Sequence, residues 1–461
     1  MDKKWRRKAS IKPSIWQDNN RRWAVPQHYT CSYMAMFPPA LPHYFIRRFT
    51  EKGDIVLDPF SGRGTTAVEA MAQGRIGIGN DLNDLAYVLT KGKIVNPDLD
   101  SVLSRLDDLE SKYDKKDWFT FSGMPRKISM IYHPNTQRQL MYLKKELDWR
   151  HDDVDAFLSM VLMGAMHGQS SGFLSLEMPN TFSMGWNYVK KYIKTHDLNR
   201  PDRDVFKVLR DRCKRFLKLG QLPGKGKAFH TNSKVLGESG LIEHHSVKMI
   251  FSSPPYLKVI KYGLYNWIRL WWLVEDYKEI DKKLDDEHSI KPYLDFMKKI
   301  LETTLPLLDP QKGIACWVIG DAHEYNLAEM VWNQVGKKIS VKDSNGVEQR
   351  YRLLDIIEDK IDDEQKVTKL WKTETIQVVR VGPEGDVIEM IGESSVESEA
   401  EKMALEAEID QNSTIQKRVE LKNDKSGKAT PVDRILIICP ENSKPGVYLS
   451  NKGINWEPID N

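Results

Sequence analysis

The segment 58–66, with the sequence DPFSGRGTT, constrains the fold of this 461-residue chain more than any other feature. It follows a short continuous apolar run, residues 55–57, of the kind that a strand covered on both faces requires. Good helix formers then fill residues 65–73, and Ile76 and Ile78 supply a second strand. This pattern predicts a βαβ unit, and a βαβ unit implies a parallel sheet.

The residue types in and after this segment suit a ligand. Gly62 and Gly64 allow the chain to turn tightly and to approach a ligand closely. Residues 65–66 open a helix whose free N–H groups attract a carboxylate or a phosphate. Asp81, 23 residues beyond Asp58, ends the second strand, where an acid can accept hydrogen bonds from ribose hydroxyls. Alone, the pattern also fits another nucleotide site or a turn without ligand, but the phosphate-loop motif GxxxxGK[ST] is absent.

A second segment, 252–256 (SSPPY), follows a strand predicted over residues 247–251. Its two prolines stiffen the loop and leave carbonyl oxygens without competing amide donors. A serine hydroxyl, a fixed carbonyl and an aromatic ring can together hold a flat base that carries an exocyclic amino group, with Tyr256 stacked on the ring. Taken alone, a structural loop with a surface tyrosine explains this segment better.

Together these segments resemble those of the DNA amino-methyltransferases (cytosine-N(4)/adenine-N(6) type, SPPY subgroup), which use S-adenosylmethionine. Segment 58–66 resembles the cofactor loop of that family, and 253–256 resembles its catalytic tetrapeptide. Residues 37–41 (FPPAL) resemble the motif that closes over the methionine part of the cofactor. Residues 231–233 (TNS) take the place where relatives carry Gly-Asp-Ser facing the adenine, with Asn232 instead of the acid.

Further similarity to a subgroup of bacterial relatives occurs in segments 178–184, 188–193 and 262–267, and the resemblance as a whole covers roughly residues 29–321 and 428–438. The resemblance implies the following site. Cofactor binding falls to Phe37, Pro38, Asp58, Pro59, Phe60, Ser61, Gly62, Gly64, Thr65, Thr66, Asp81 and Asn232, and catalysis to Ser253, Pro254, Pro255 and Tyr256.

The implied fold is α/β, a doubly wound Rossmann-like class I methyltransferase sheet with a large helical insertion. The implied cofactor is S-adenosylmethionine and the implied substrate is double-stranded DNA. The target base would be flipped out, because it cannot reach such a pocket inside a duplex. A role in restriction-modification or defence, with a restriction endonuclease as partner, stays open.

Serine at position 253 favours the cytosine 4-amino group, since relatives with serine there mostly methylate cytosine and those with Asp or Asn mostly adenine. Attack at cytosine carbon 5 would need a nucleophilic cysteine after a proline, and the sequence contains no Pro-Cys pair. Two alternatives remain: an adenine 6-amino or RNA methyltransferase of the same fold, and a non-catalytic DNA-binding or specificity subunit. The presence of both motifs counts against the second.

The order of strand-like and helical segments predicts the domain organisation. Helical periodicity dominates residues 98–220, and strand-like runs return at 247–251, 313–320 and 434–438. We therefore expect the cofactor half with an N-terminal arm over 1–97, a helical insertion for target recognition over 98–224, the catalytic half over 225–336, a second insertion with an acidic segment over 337–427, and a final core strand and tail over 428–461.

The charge is unevenly distributed along the chain. The formal net charge is only +4, yet residues 190–218 contain 11 basic and 4 acidic residues, whereas 384–410 contain 10 acidic residues and one lysine. We expect the basic run to contact DNA phosphates through Lys190, Lys191, Lys207, Arg210 and Lys214, although a merely solvated helix face is the alternative. The acidic segment is best explained as a solvated linker, with Ser394 and Glu397 forming a capping box for a short helix.

Several classes of protein are disfavoured. No apolar run follows the basic residues 1–8, so we expect no signal peptide, and residues 156–176 contain too many polar side chains for a membrane span. The four cysteines are far apart without a CxxC pair, and no histidine shows metal-ligand spacing, so neither disulfides nor a metal are expected. The expected location is the cytoplasm of a bacterium or archaeon.

Overall fold

The structure is a computed structural model of the chain. It describes residues 24–33, 37–114, 124–168, 170–178, 185–255, 262–274, 278, 280, 289–321, 325–342, 348–360, 374–381, 387–396, 417–422 and 432–445.

An eight-stranded sheet forms the centre of the described structure, with the spatial order β3-β2-β1-β4-β5-β11-β7-β6. The five strands from β3 to β5 pair in parallel, whereas β11 runs antiparallel between β5 and β7. This order confirms the expected doubly wound α/β sheet. The strands are β1 (Ile55–Asp58), β2 (Ile76–Asn80), β3 (Lys225–Phe229), β4 (Val247–Ser252), β5 (Ile314–Gly320), β6 (Ser340–Lys342), β7 (Glu348–Lys360) and β11 (Val432–Pro440).

The central strands are buried on both faces, because each one carries a continuous apolar run whose residues alternate between two cores. One core contains Leu57, Trp317 and Leu436. The opposite core contains Val56 and Cys316. Helices cover both faces, as a parallel sheet requires.

Thirteen α-helices occur in the described part of the chain. They are α1 (Ala40–Phe49), α2 (Thr65–Ala72), α3 (Asp84–Ile94), α4 (Leu99–Lys112), α5 (Arg126–Ser129), α6 (Pro134–Glu146), α7 (Asp153–Ala165), α8 (Trp186–Thr195), α9 (Val205–Phe216), α10 (Tyr262–Tyr265), α11 (Trp267–Leu273), α12 (Ile290–Thr304) and α13 (Leu327–Met330). None of them is long and apolar enough to cross a membrane.

The helices α4–α9 lie between β2 and β3 in the chain and share a large apolar core with α3. Helix α7 is its centre, since every residue from Asp155 to Ala165 is buried. Close approach of α7 to α3 depends on Gly92, where an added Cβ would lie 2.3 Å from Cβ of Met160. The insertion is therefore packed directly on α3, the helix that follows β2 in the chain.

The sheet extends further along the chain than expected. We expected the second insertion to begin at residue 337, but β6 and β7 belong to the central sheet, where β7 pairs with β11 over nine residue pairs. Beyond them lies a separate three-stranded antiparallel sheet of β8 (Glu374–Val381), β9 (Val387–Val396) and β10 (Lys417–Lys422). The capping-box prediction was wrong, because Ser394 pairs with Ile376 inside β9 and this ladder overrides the local pattern.

Candidate active site

The site is formed where neighbouring parallel strands end. Strand β1 pairs with β2 on one side and with β4 on the other, so the loops after all three strands emerge at the same edge of the sheet. Ligands of open α/β sheets bind outside the carboxyl ends of the strands. Segments 58–66 and 252–255, which are almost 200 residues apart in sequence, are thereby adjacent in the fold.

The glycine loop turns through two left-handed residues. Gly62 has φ +51° and Gly64 has φ +82°, conformations that side chains with a Cβ rarely adopt. A Cβ on Gly64 would lie 3.1 Å from Cα of Thr90, so the helix α3 closes in on this turn. Helix α2 begins at Thr65, directly after Gly64.

Asp81 fixes the glycine loop to the end of β2. Its Oδ2 accepts a hydrogen bond from the amide of Gly62 at 2.8 Å, and its Oδ1 accepts one from the amide of Asn83 at 3.0 Å. Burial raises the pKa of Asp81 to about 6, although the hydrogen bonds from these two amides act to lower it. Each carboxylate oxygen has further lone pairs, so hydroxyl donors of a ligand can still bind there.

Asp58 connects the glycine loop with the second segment. The hydroxyl of Ser252 donates to Oδ1 of Asp58 at 2.5 Å, and the amide of Phe60 donates to the same oxygen at 3.2 Å. Burial raises the pKa of Asp58 to about 7, although the Ser252 hydrogen bond acts in the opposite direction. The last residue of β4 thus sets the position of Asp58, the first residue of segment 58–66.

The predicted catalytic residues follow Ser252 immediately. Ser253 and Pro255 are partly exposed at the sheet edge and Pro254 is buried, which fits a fixed loop that offers a hydroxyl and carbonyl groups to a ligand. Tyr256 lies outside the described residues.

The structure also brings to this edge the segments 37–41 and 231–233, which resemble two further motifs of the family. The ring of Phe37 packs edge-on against Phe251, the residue before Ser252, at a centroid distance of 5.5 Å. Ser233 donates a hydrogen bond to the main-chain oxygen of Pro59 at 2.6 Å. The side chain of Asn232 instead caps the short 3₁₀ helix Ser233–Glu238 by accepting from the amide of Lys234.

Asn80, which we did not predict, connects segments of the candidate site. Its buried Nδ2 donates to the oxygens of Pro59 and Thr231 and to Oγ of Ser233, so one amide joins the ends of three segments. The sequence signal was only its place before Asp81 at the end of a strand.

Two tyrosines outside the predicted set lie over the glycine loop. The ring of Tyr33 stacks on Tyr262 at 5.6 Å, and a Cβ on Gly62 would lie 3.4 Å from the Tyr33 ring. The side-chain amide of Asn83 donates to the Tyr33 hydroxyl at 3.3 Å. Burial raises the pKa of both tyrosines, and both lie close enough to Asp81 for its charge to add to this effect. No sequence pattern distinguishes these tyrosines from core aromatics.

A buried hydrogen-bonded cluster anchors the segment before Tyr33. Glu69 on α2 contacts His28 at 2.7 Å and His43 on α1 at 2.9 Å, with all three side chains buried. Burial alone would raise the pKa of Glu69, but the hydrogen bonds from both imidazoles hold it below its usual value. Within the described residues no group of three or more His, Cys, Asp or Glu side chains could hold a metal ion.

The predicted DNA-contact residues differ in their surroundings. Lys207 and Lys214 are exposed on α9, and Lys190 is exposed and Lys191 partly exposed on α8. Arg210 instead pairs with Asp107 at 2.6 Å and Glu110 at 2.7 Å, both on α4, and so ties α9 to α4. Asn180, at the start of the basic part of the insertion, lies outside the described residues.

The comparisons with known proteins agree with this geometry. Residues 2–91 match the model of the N6/N4 methyltransferase family, described as DNA methylases. The type II methyltransferase M.MjaII of Methanocaldococcus jannaschii is 35% identical over 80 residues, which are 17% of this chain and 15% of that protein. The type II methyltransferase M.BglI of Bacillus subtilis is 45% identical over 58 residues, 12% of this chain and 17% of that protein. The matches thus span about a sixth of the length of these relatives.

An rRNA methyltransferase, aviRa from Streptomyces viridochromogenes, overlaps with 68% of this chain and 84% of its own, at 9% identity and a TM-score of 0.25, which is too low to bear on the fold. The sheet order and the two loops at its edge define a doubly wound α/β fold with a candidate site at the carboxyl ends of β1, β2 and β4. Residues 2–91 are similar to the N6/N4 DNA methyltransferase family.

The cofactor of this family is S-adenosylmethionine, and the residues present fit it. Asp81 retains acceptor capacity for ribose hydroxyls at the end of β2. Gly62 and Gly64 leave the turn without side chains beside the start of α2. The carboxylate of Asp58 suits a ligand that carries positive charge. These three features are the donor and acceptor set that an adenosine with a cationic amino-acid tail requires.

Proposed function

We propose that the protein transfers a methyl group from S-adenosylmethionine to the exocyclic 4-amino group of cytosine in duplex DNA. The observation that carries this proposal is the 2.5 Å hydrogen bond from Ser252 to Asp58. It joins the cofactor loop to the residue that precedes Ser253-Pro254-Pro255-Tyr256. A methyl donor held by the first loop and an amino group held by the second would therefore meet at one sheet edge.

The second loop would activate the amino group by accepting its hydrogens. The nitrogen of a base amino group is a poor nucleophile, because its lone pair is delocalised into the ring. Oγ of Ser253 and a proline carbonyl, each accepting one N–H, would draw the nitrogen toward tetrahedral geometry and free this lone pair. Bound S-adenosylmethionine supplies the electrophilic methyl group, and positioning it in line with the nitrogen is worth several kcal/mol, up to roughly 7–11 kcal/mol in well-oriented systems.

The target base would be flipped out of the duplex and stacked on Tyr256. Cytosine is favoured because serine occupies position 253, whereas relatives with Asp or Asn in this place mostly methylate adenine. The family match includes both cytosine-N4 and adenine-N6 enzymes, so adenine is the second candidate. Two relatives are type II methyltransferases by name, which supports a modification role alongside a restriction endonuclease.

The helical insertion would hold the DNA. It contains the basic run, and the exposed residues Lys190, Lys207 and Lys214 can reach phosphates without breaking described ion pairs. Arg210 supports this surface by its pairs with α4 rather than by direct contact. The segment 337–372 is the rival for this role.

The proposal is tested by tritium transfer from methyl-labelled S-adenosylmethionine to mixed-sequence duplex DNA and to RNA. Ser253→Ala removes one amino-group acceptor, and Tyr256→Ala removes base stacking worth about 1–3 kcal/mol. Both variants should transfer methyl groups to DNA more slowly while cofactor affinity is kept. The matched control is Ser246→Ala, a partly exposed serine just before β4 at its other end. Wild-type rates in both loop variants, or transfer to RNA alone, would contradict the proposal.

A further inference from the structure

A cavity of about 570 Å³ lies beside the glycine loop but is separate from it. Its walls are residues 29–32 of the N-terminal segment, the loop 170–173 and the exposed side of α9 around residues 207–215. This volume falls within the roughly 300–1,000 Å³ typical of sites for small ligands or ligand fragments.

The cavity wall carries an excess of positive charge. It includes Arg203, Lys207, Arg212, Arg215 and Arg269 against three acids, and Arg203 also pairs with Glu177, outside the wall, at 3.2 Å. Arg212 is the most deeply placed of the α9 cations, with 7% of its surface exposed. Its guanidinium donates to the main-chain oxygens of Gly164 and Gly172, and its described contacts include no carboxylate within salt-bridge distance. Burial lowers the pKa of Arg212 to about 10, and the neighbouring charges of Arg215 and Arg269 add to this effect.

Two of the three acids already make contacts with other groups of the protein. Asp202 accepts from the side chain of Asn135 at 2.7 Å and contacts His133 at 3.1 Å. Asp204 caps α9 by accepting from the amide of Lys207. Asp211 is the remaining acid, exposed on the same helix face as Lys207 and Arg215. With Glu177 included, five basic side chains stand against four acidic ones, so a small positive excess remains at the cavity.

The wall formed by residues 29–32 connects this cavity to the active site. Ser32 lines the cavity, and the next residue, Tyr33, stacks on Tyr262 beside Gly62. Arg269 forms part of another wall and donates to Oδ1 of Asn266, whose side chain in turn donates to the main-chain oxygen of Tyr262. A ligand in the cavity would therefore lie one layer of residues away from the loop that holds the cofactor.

We propose that this cavity binds a phosphodiester group of the DNA backbone close to the target nucleotide, an inference that rests on the proposed function. Arginine is the side chain best suited to phosphate, because its planar fork can donate two parallel hydrogen bonds. Lys207 and Arg215 at the rim would contact the phosphate, and Arg212 at the wall would supply fixed positive potential. A backbone group held here would keep the DNA in place while one base leaves the stack for the adjacent loop.

The test compares a Lys207→Gln/Arg215→Gln double variant with a Lys225→Gln/Lys227→Gln control. Both pairs are exposed and lose two charges, but the control residues lie on the edge strand β3. Fluorescence anisotropy of a labelled mixed-sequence duplex gives the affinity across a range of KCl concentrations. We expect the cavity variant to bind DNA about tenfold or more weakly and to lose about 1 unit of salt slope, as for one lost phosphate contact, whereas the control keeps the wild-type slope. Calorimetry with S-adenosylmethionine should show equal cofactor affinity in all three proteins.

A second arm separates DNA phosphate from free phosphate. Inorganic phosphate is titrated into each protein against chloride at equal ionic strength. Equal DNA affinity and equal salt slope in the cavity variant and the control would overturn the inference. Binding of inorganic phosphate to the wild type would not rescue it in that case, because the cavity would then hold free phosphate and not DNA. Methyl transfer is measured on the same preparations. If the cavity variant loses DNA affinity but the wild-type protein transfers no methyl group, the proposed function is refuted and the cavity inference stands.

Discussion

Gly62 and Gly64 share a left-handed backbone but have different neighbours, so substitution should separate cofactor binding from folding. A Cβ on Gly64 would meet the backbone and side chain of Thr90 at 3.0–3.3 Å, whereas a Cβ on Gly62 would meet only the Tyr33 ring at 3.4 Å. Gly62→Ala should cost about 1–2 kcal/mol of stability for its positive φ and weaken cofactor binding. Gly64→Ala should cost more, because the steric contact with Thr90 adds to the same φ penalty.

Thermal denaturation gives the stability of both glycine variants, and calorimetry with S-adenosylmethionine gives their cofactor affinity. Equal losses of stability, together with wild-type cofactor affinity in Gly62→Ala, would show that the turn does not face the ligand.

The raised pKa values of Asp81 and Asp58 predict a pH dependence of cofactor binding. A carboxyl group accepts hydrogen bonds from ribose hydroxyls best when ionised, and burial holds the pKa of Asp81 at about 6 and that of Asp58 at about 7. Both groups are partly protonated below neutral pH in the free protein. Binding should therefore release protons, and affinity for S-adenosylmethionine should rise from pH 5 to pH 8.

This dependence is measured by calorimetry in buffers of different ionisation enthalpy. The Asp81→Asn variant lacks the group with the lower pKa of the two. Its affinity for S-adenosylmethionine should therefore be weak from pH 5 to pH 8 and should change with pH only near the pKa of Asp58. An affinity for the cofactor that is the same at pH 5 and pH 8 in the wild type would contradict the assignment of both acids.

At the residue scale, sequence reasoning located the acids and glycines because strand ends and turns leave local signals. It did not find the contacts of Ser252, Asn80 and Tyr33. Ser252 meets Asp58 only because β4 pairs with β1, and periodicity along a sequence does not encode which strands become neighbours.

At the scale of elements, the pairing of β1 with β4 gives adjacent serines different roles. Ser252 donates a hydrogen bond to Asp58 of the loop proposed to hold the cofactor, whereas Ser253 belongs to the loop proposed to hold the base. Ser252→Ala should weaken cofactor binding and slow methyl transfer, since a buried carboxylate loses a hydrogen bond worth about 1.5–3 kcal/mol. Ser253→Ala should slow methyl transfer alone. Calorimetry and single-turnover rates of the two variants test this difference, and identical effects of both would contradict it.

Helix α9 also has two faces with different roles. Arg210 pairs with two acids of α4, whereas Lys207 and Lys214 are exposed. Arg210→Gln should lower thermal stability by up to about 1 kcal/mol and leave the salt slope of DNA binding unchanged, because exposed ion pairs contribute little. Lys207→Gln/Lys214→Gln should lower that slope by about 2 units with stability unchanged. The reverse pattern in anisotropy and thermal denaturation would assign DNA contact to Arg210 instead.

The strands that sequence reasoning recognised are those with continuous apolar runs, such as β4 and β5, because burial on both faces demands them. Strand β7 was assigned to an insertion, since its sequence mixes charged and apolar residues (EQRYRLLDIIEDK). It has such a sequence because it lies near the sheet edge, where its pairing with β11 rather than its composition holds it in place.

At the scale of the whole molecule, the order of parts along the chain explains how one sheet edge could serve two substrates. The glycine loop follows β1, the basic helices come next, and the proposed catalytic segment follows β4, which lies beside β1 in the sheet. A long helical insertion is therefore compatible with a compact site, because it leaves and re-enters the sheet without separating β1 from β4.

The most direct test of this account is the chemical identity of the product. Duplex DNA is incubated with the wild-type protein and S-adenosylmethionine, digested to nucleosides and analysed by mass spectrometry, with Ser253→Ala as the comparison. The account predicts N4-methyldeoxycytidine from the wild type and much less from the variant. N6-methyldeoxyadenosine would overturn the choice of base, and the absence of any methylated nucleoside, or methylation at cytosine carbon 5, would contradict the central claim.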